Sequence, residues 1–516
     1  MTASRAGQRA VIALLGLILG GGLWLRLAHL ERPSFDTDEY YHVFAGQELN
    51  AGHGPRLPSG NLYTRALPFT KLVAVSFAHL GVSETSARLP GVVFGMLVIL
   101  ATFFIGRRWF GAREGLLAAA LVAVSPLMVD TARLCRMYSL FQLLYLGAVF
   151  SYEQGWEQPA IPVRRRAAWT GVAIALAGAS LLIHSLTAVI VPATIAYWAG
   201  RALVRWRSRY TLFLMIVMAM AAAGVLTGIV DLRDVSQRAH FVPGWAEARR
   251  AEQGFYIREW LTAAPWLLWA APLASLWLLA KHRARGFFLL CQFAVPFALH
   301  SFVFDWKVSR YVSHLFPLLA LIVAPLLVRC GAALARWGRD LARPLPRALQ
   351  WATDAVAPVL LALAMAVGTR PSLTQAMIAQ DDPKTPRWRE AYKFLAGRAR
   401  PGDAIIVGLP LATLYYLGRP ATHELNNAER DFSKQYHDSD GLWRDWYSGV
   451  PMVTSLEEFR MVQVSYPRGW LLTNWGRFYS SAHTPDDLRR YLAEHCRAYH
   501  PIEGSKSILV FGWGEQ

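Results

Sequence analysis

Long apolar runs separated by short charged connections dominate the chain from Ala10 to Gly368. A membrane-spanning helix needs about 20 mostly apolar residues, and about eleven segments approach that length. They are Ala10–Ala28, Leu89–Ile105, Gly115–Val129, Tyr138–Tyr152, Ala168–Ile183, Leu186–Trp198, Tyr210–Val230, Leu261–Leu279, Phe287–Phe304, Tyr311–Val328 and Trp351–Gly368. The first follows Arg5 and Arg9, as the apolar part of a signal peptide does. Its run is longer, and no small-residue cleavage site follows, so it reads as a signal anchor. Leu30 to Arg88 forms a large first loop containing FDTDEYYH and YTRALPFTKLVAVSFAHLG. The second stretch is apolar, with Arg65, Lys71 and His79 interspersed, and reads as an interfacial helix rather than a span. Asp231 to Trp260 is a second charged loop.

After Gly368 the hydropathy falls and the pattern changes to short alternating elements. PGDAIIVGL, GWLLTNW and KSILVFGW read as strands, while LATLYYLG and DDLRRYLAEHC read as helices. The expected fold is therefore a mostly α, polytopic membrane protein with a C-terminal extracytoplasmic α/β domain. The division is 1–369 for the membrane domain, with 31–88 as its first periplasmic loop, and 370–516 for the α/β domain.

Composition supports this class. Of 516 residues, 54% are hydrophobic and only 17% charged, whereas soluble proteins carry about a quarter charged residues. Disorder is excluded by 20 Trp, 19 Tyr and 25 Phe, and a disulfide scaffold by only four Cys. The formal net charge of +18 could suggest a nucleic-acid partner, but the basic residues lie between apolar runs, so no nucleic acid is expected. With a cytoplasmic N-terminus, the inner segments RRWFGAR, VRRR, RALVRWRSR, KHRAR and RCGAALARWGRDLARPLPR join the basic tail. Together they hold roughly 20 basic residues against about four acidic ones, while the outer segments hold roughly 14 against 13. The charge asymmetry places the α/β domain on the outer side of the membrane.

Candidate chemistry lies on that outer side. Asp36, Asp38 and Glu39 sit a few residues past the first span. Adjacent Asp38 and Glu39 project in different directions, so one could accept a proton while the other holds the loop or orients a substrate. A solvated acidic turn is the plainer alternative. Outer-side cations at membrane depth suit a phosphate at headgroup level: Arg65, Lys71, Arg88, Arg133, Arg136, Arg249, Arg250, Arg258, Lys307 and Arg310. Each could instead contact lipid headgroups or pair with Asp130 or Asp305. No HExxH, CxxC or Walker motif occurs, so metal and nucleotide cofactors are not indicated.

The order of segments resembles the GT-C glycosyltransferases. The similarity is to the protein O-mannosyltransferase-like family and its bacterial relatives, including the lipid A aminoarabinose transferase. It is carried by the Asp-Glu-aromatic motif, then GVSETSARLPGVVFGMLVILATFFIGRRWFGAREGLLAAALVAVSP. DTARLCRMYSLFQLL with Tyr138, SRYVSHLFPLLALIVAPLL, and WREAYKFLAGRARPGDAIIVGLPLATLYYLGR follow in order. The resemblance implies a polyprenyl-phosphate-linked sugar donor and transfer on the outer face. It implies Asp38 as the base and Glu39 as the second acid of the pair. Tyr63 and Arg65 fall where relatives place a Tyr and a Lys near the donor phosphate, Tyr311 matches another phosphate-contacting Tyr, and Arg249 or Arg250 a phosphate-binding Arg. The usual Lys-Pro-Pro is absent: the chain reads YTRALPF there, with Lys71 displaced. The family generally works without a metal, although an acidic pair could bind a divalent cation.

The expected activity is inverting transfer of a hexosyl or pentosyl group to a hydroxyl of a protein, lipid or polysaccharide acceptor. A lipid-linked phosphate is already a good leaving group, so no soluble nucleotide is needed. A transporter or flippase would show mid-membrane charges or broken helices in related halves, and a scaffold protein would tolerate loss of Asp38.

Overall fold

The computed structural model describes residues 5–158, 161–204, 214–217, 252, 254–263, 265–341, 386–427, 435–437, 441–481, 483–501 and 507–514. The expected span Trp351–Gly368 and nearly all of Tyr210–Val230 lie outside these residues, as do Arg249 and Arg250. The chain begins with nine helices: α1 (Arg5–Leu27), α2 (Thr37–Asn50), α3 (Leu67–Leu80), α4 (Glu84–Trp109), α5 (Ala112–Val124), α6 (Pro126–Ala132), α7 (Tyr138–Trp156), α8 (Val163–Ile183) and α9 (Ile190–Val204). Among the described residues four more, Phe255–Ala263, Pro265–Lys281, Arg283–Ala298 and Phe316–Leu341, precede residue 342.

Among the described residues, six helical segments are long and apolar enough to cross a membrane: Gly7–Leu27, Glu84–Trp109, Val163–Ile183, Ser185–Val204, Arg283–Val303 and Ser309–Ala333. The pair α5 and α6, bent by 63°, makes a seventh if counted as one span. Fewer spans are thus present among the described residues than the sequence pattern suggests. α7 is 19 residues long, but Gln142, Glu153 and Gln154 dilute its apolar character. The expected span Leu261–Leu279 is divided between two helices, the second opening at Pro265, where a ring without an N–H starts a helix more readily than it continues one.

The chain divides into two compact units. The first comprises Met1–Ala28, Gly91–Phe241 and Arg249–Leu373. In it, α7 packs along α8, and α5 packs against both α1 and Phe316–Leu341. α4 and α5 approach closely: a Cβ on Gly115 would meet the Phe103 carbonyl oxygen at 2.6 Å and the Arg107 nitrogen at 2.7 Å. Small residues let membrane helices meet backbone to backbone in this way. The break between α5 and α6 at Ser125–Pro126 frees carbonyls that Arg26 satisfies. This fully buried side chain donates to the oxygens of Gly22 (3.0 Å), Ala123 (2.9 Å), Val122 (3.4 Å) and Met128 (3.5 Å). Glu153, also buried, accepts from Trp109 Nε1 and Arg285 Nε, each at 2.8 Å. Regular helix gives way to a π turn at Leu299–Val303 and a 3-10 segment at Ser309–Leu315. Between them the Lys307 ammonium donates to the carbonyls of His300 (2.8 Å), Ser301 (2.9 Å) and Phe304, closing the helix end.

The second unit comprises His29–Pro90, Val242–Ala248 and Thr374–Gln516. Its strands are β1 (Ala404–Val407), β2 (His423–Leu425), β3 (Gln435–His437), β4 (Trp443–Asp445), β5 (Met452–Val453), β6 (Gly469–Asn474), β7 (Arg497–Tyr499) and β8 (Ile508–Trp513). Six form one sheet in the order β5-β2-β1-β6-β8-β7, in which β5, β2, β1 and β6 are parallel and β8 runs antiparallel to both β6 and β7. β1 is buried along its whole length, as a central parallel strand must be. Ile406, Leu471, Phe459, Phe478, Leu488 and Leu492 fill one face of the sheet. The first loop packs into this unit. The Phe35 ring meets Tyr415 edge-on at 5.1 Å, its amide donates to the Tyr416 hydroxyl, and that hydroxyl donates to Glu84 at 3.0 Å.

Candidate functional site

The acidic motif opens α2. Asp36 is its N-cap, accepting from the Thr37 amide at 2.8 Å, while Glu39 reaches back to accept from the Asp36 amide at 2.8 Å. This reciprocal capping box is written locally in the sequence as an Asp followed three residues later by Glu. Glu39 has a second partner 49 positions away. Arg88 donates Nε to Glu39 Oε1 and Nη2 to Oε2, each at 2.9 Å, with the two side chains 2% and 1% exposed. The same guanidinium donates to the carbonyls of Leu30 (2.8 Å), Pro33 (2.8 Å) and Ser34 (3.2 Å). All five of its N–H groups are thereby used, and the ring of Phe35 lies 5.0 Å from its centre. Arg88, read from the sequence as a phosphate cation, is the anchor of the loop that carries the acids.

Asp38, one position before Glu39, is only partly buried. It lies in a nest of tyrosines. Tyr41 stacks on Tyr447 with centroids 3.9 Å apart and planes 9° from parallel, and Tyr63 lies 5.6 Å from Tyr41. Burial and the Asp38 charge, joined at Tyr41 by the Tyr447 phenol, hold the phenols of Tyr41 and Tyr447 above their ordinary range, so both stay protonated donors. His42 fixes Tyr63 and Phe69 edge-on at 5.2 Å each and shares a 2.9 Å hydrogen bond with Thr70 of α3. Arg65 and Lys71 are exposed, before and on α3.

In the other unit, four sequence candidates from two distant segments come together. Arg310 donates Nε to the Tyr138 hydroxyl at 3.0 Å, with its guanidinium 5.7 Å from that ring. The buried Arg136 guanidinium lies 5.9 Å from the same ring. Tyr311 lies 6.5 Å from Tyr138 and 5.9 Å from His184, which is itself 5.6 Å from Tyr138. His184 holds its place by accepting from the Leu186 amide at the break between α8 and the following 3-10 turn. Arg133 serves differently: it donates to the carbonyls of Leu25 (3.1 Å), Arg26 (3.3 Å) and Ala28 (2.7 Å), closing the C-terminal end of α1. Among the described residues no group of three or more His, Cys, Asp or Glu is placed to hold a metal ion.

The architecture is shared with solved membrane proteins. ArnT from Cupriavidus metallidurans bound to undecaprenyl phosphate superimposes with a TM-score of 0.62 at 15% identity, covering 97% of each chain. Its apo form gives 0.60 at 14%, covering 98% of each. The chain has the GT-C glycosyltransferase fold. The archaeal oligosaccharyltransferase AglB from Archaeoglobus fulgidus, in complex with an inhibitory peptide and a dolichol-phosphate, shares this fold at lower similarity. Its TM-score is 0.57 at 10% identity, covering 95% of this chain and 72% of that one. A family profile described as dolichyl-phosphate-mannose-protein mannosyltransferase matches residues 67–227. No curated protein sequence matches the chain.

On this GT-C frame each unit carries a distinct chemical set. One holds a partly exposed carboxylate among neutral phenols, with its acidic neighbour locked in an ion pair. The other holds two guanidiniums and two phenols around Tyr138, a donor-rich group suited to a phosphate anion. Sequence reasoning missed Tyr41 as a neighbour of the acid, although it lies within the motif at helical spacing. It also missed Arg26 and Tyr447. Tyr447 carries no local signal, being 409 positions from Asp38.

Proposed function

We propose that the chain is an integral-membrane glycosyltransferase that moves a sugar from a polyprenyl-phosphate-linked donor to an acceptor hydroxyl on the periplasmic face, with inversion at the sugar carbon. The observation that carries this reading is the division of labour within the acidic pair. Glu39 is buried and held by Arg88 and the helix cap, whereas Asp38 is only partly buried and lies beside the phenols of Tyr41 and Tyr447. The GT-C fold supports the reaction class, and ArnT, which shares that fold, was solved with undecaprenyl phosphate bound.

In this reaction Asp38 accepts the proton of the acceptor hydroxyl as its oxygen attacks the sugar carbon. The bond from that carbon to the phosphate oxygen breaks, and its electron pair leaves with the lipid phosphate. The charge that grows on the departing phosphate calls for donors of the kind grouped at Arg136, Tyr138, Arg310 and Tyr311. Glu39 and Arg88 position the loop without touching substrate.

The test is transfer by the purified protein in reconstituted membranes supplied with a series of undecaprenyl-phosphate sugars. Asp38→Asn is expected to lower turnover about 10²- to 10⁴-fold, the range for loss of a positioned base. Full activity in that variant would refute the base assignment. Wild-type protein inactive with every donor would refute the transferase reading.

A further inference from the structure

Tyr447 lies in the turn between β4 and β5, far along the chain from the acidic motif, and three observations bring it to Tyr41, which follows Asp38 by three residues on α2. The first is how rigidly the turn is made. Asp445 Oδ2 accepts from the Ser448 amide at 2.7 Å, the Gly449 amide donates to the Asp445 carbonyl at 2.8 Å, and Gly449 takes a φ of +77°. Only glycine adopts that conformation without strain. The second is how the turn is moored to the first loop. The Trp446 carbonyl accepts from Ser59 Oγ at 2.7 Å and Asn61 Nδ2 at 2.8 Å, and the Tyr447 carbonyl accepts from the Ser59 amide at 3.2 Å. The third is the result of that mooring. The Tyr41 and Tyr447 rings stack at 3.9 Å, closer than the roughly 4.5–7 Å usual for aromatic pairs. Free rings would slide apart, so the hydrogen-bonded turn sets this spacing.

We propose that Tyr447 is a positioning residue for Asp38, supplied by the C-terminal α/β domain, so that this domain completes the acidic site. Clamped between the turn and α2, the stacked pair places two phenols near the Asp38 carboxylate, three residues before Tyr41. Both phenols stay protonated and feel the Asp38 charge, so they act on the carboxylate as oriented dipoles. The other charged groups around them are accounted for. Asp445 on β4 is held in its own turn, Glu39 is paired with Arg88 of α4, Asp36 caps α2, and Tyr63 contributes a third phenol. The role of Asp38 as base rests on the function proposed above. Its placement by Tyr447 does not.

The test uses the full-length protein in detergent micelles and needs no substrate. Carboxylates are labelled with a water-soluble carbodiimide and an amine, and the rate at each residue is read by peptide mass spectrometry. Tyr447→Ala is expected to speed labelling of Asp38 at least threefold while Glu39 stays protected. Tyr447→Phe, which keeps the stack and loses the hydroxyl, is expected to fall between that variant and wild type. Unchanged labelling of Asp38 in Tyr447→Ala would overturn the proposal. So would exposure of Glu39 together with Asp38, because Tyr447 would then be holding the fold rather than one side chain. In the transfer assay, Tyr447→Ala is expected to lower kcat at least tenfold with donor KM changed less than threefold, and Tyr447→Phe to recover part of it. A rise in KM with kcat intact would also overturn the positioning role. If wild type transfers no sugar but labelling behaves as expected, the placement stands and the proposed function fails.

Discussion

Replacing Glu39 by alanine strips a buried guanidinium of its only carboxylate. Breaking a buried ion pair by removing one partner costs about 3–5 kcal/mol, because the remaining charge stays desolvated. Arg88 keeps three carbonyl acceptors, at Leu30, Pro33 and Ser34, so the lower end, about 3 kcal/mol, applies here. The substitution also removes the acceptor that caps the Asp36 amide, worth about 1 kcal/mol more. The expected loss is about 4 kcal/mol in total. Glu39→Gln keeps one oxygen acceptor and should cost roughly half as much. The measurement is guanidinium chloride unfolding of the purified full-length protein in micelles, followed by tryptophan fluorescence. The same preparations are assayed for transfer. Glu39→Ala should shift the midpoint sharply downward, whereas Asp38→Asn should unfold with wild type. Combining Glu39→Leu with Arg88→Met should recover about 1–2 kcal/mol of the single-variant loss by removing the unpaired charge. Full recovery is not expected, since three carbonyls lose their donor. A wild-type midpoint for Glu39→Ala would refute the pairing. A turnover loss in Glu39→Gln, with unfolding unchanged, would make Glu39 a chemical rather than a positioning group.

The remaining predictions concern other parts of the chain. Arg310→Ala removes a guanidinium from the Tyr138 cluster and should raise the donor KM about 10- to 100-fold, matching charge-assisted hydrogen bonds of roughly 1.5–3 kcal/mol; titration with undecaprenyl phosphate checks this. Arg26→Met leaves the carbonyls at the α5–α6 break without their donor and should cost about 2–3 kcal/mol in the same unfolding measurement. Asp403 accepts from the Arg400 amide, Arg468 and Trp470. Burial alone would raise its carboxyl, but these bonds outweigh burial and hold it below its ordinary value of 3.8. A carboxyl depressed in the folded state stabilises fully above its unfolded value and loses that contribution as pH falls through the folded value. Acid unfolding near and below pH 3.8 should therefore be blunted in Asp403→Asn relative to its own neutral stability, as tryptophan fluorescence across pH will show.

Legibility followed range along the chain. The capping box Asp36–Glu39 and the helix α3 inside YTRALPFTKLVAVSFAHLG rest on contacts within a few residues, and the strand β1 inside PGDAIIVGL shows as a short apolar run, so each pattern appears in the sequence. β2 and β5, at three and two residues, are too short to carry a period of two, and no pattern could announce them. The stretch read as one span over Gly115–Val129 is broken at Ser125–Pro126, a site visible as a proline but not as a 63° bend. Its direction depends on Arg26, which supplies donors from another helix.

The candidate site shows the same division. Apolar run length and the acidic motif are properties of composition and spacing, and they sufficed to point to a membrane protein and to a candidate acid. Which acid is locked in a buried ion pair was beyond them. Asp38 and Glu39 are adjacent and chemically alike, and they part only because Arg88, 49 positions on, reaches one and not the other. Arg133 and Arg136 are likewise three positions apart, yet one closes the end of α1 and the other joins Tyr138 and Arg310. The sequence by itself determined which segments are apolar, where helices start and which residue types were available. Tertiary structure alone decided which of those residues became anchors and which stayed open, because a buried charge is held by whichever partner chain closure brings within about 3 Å.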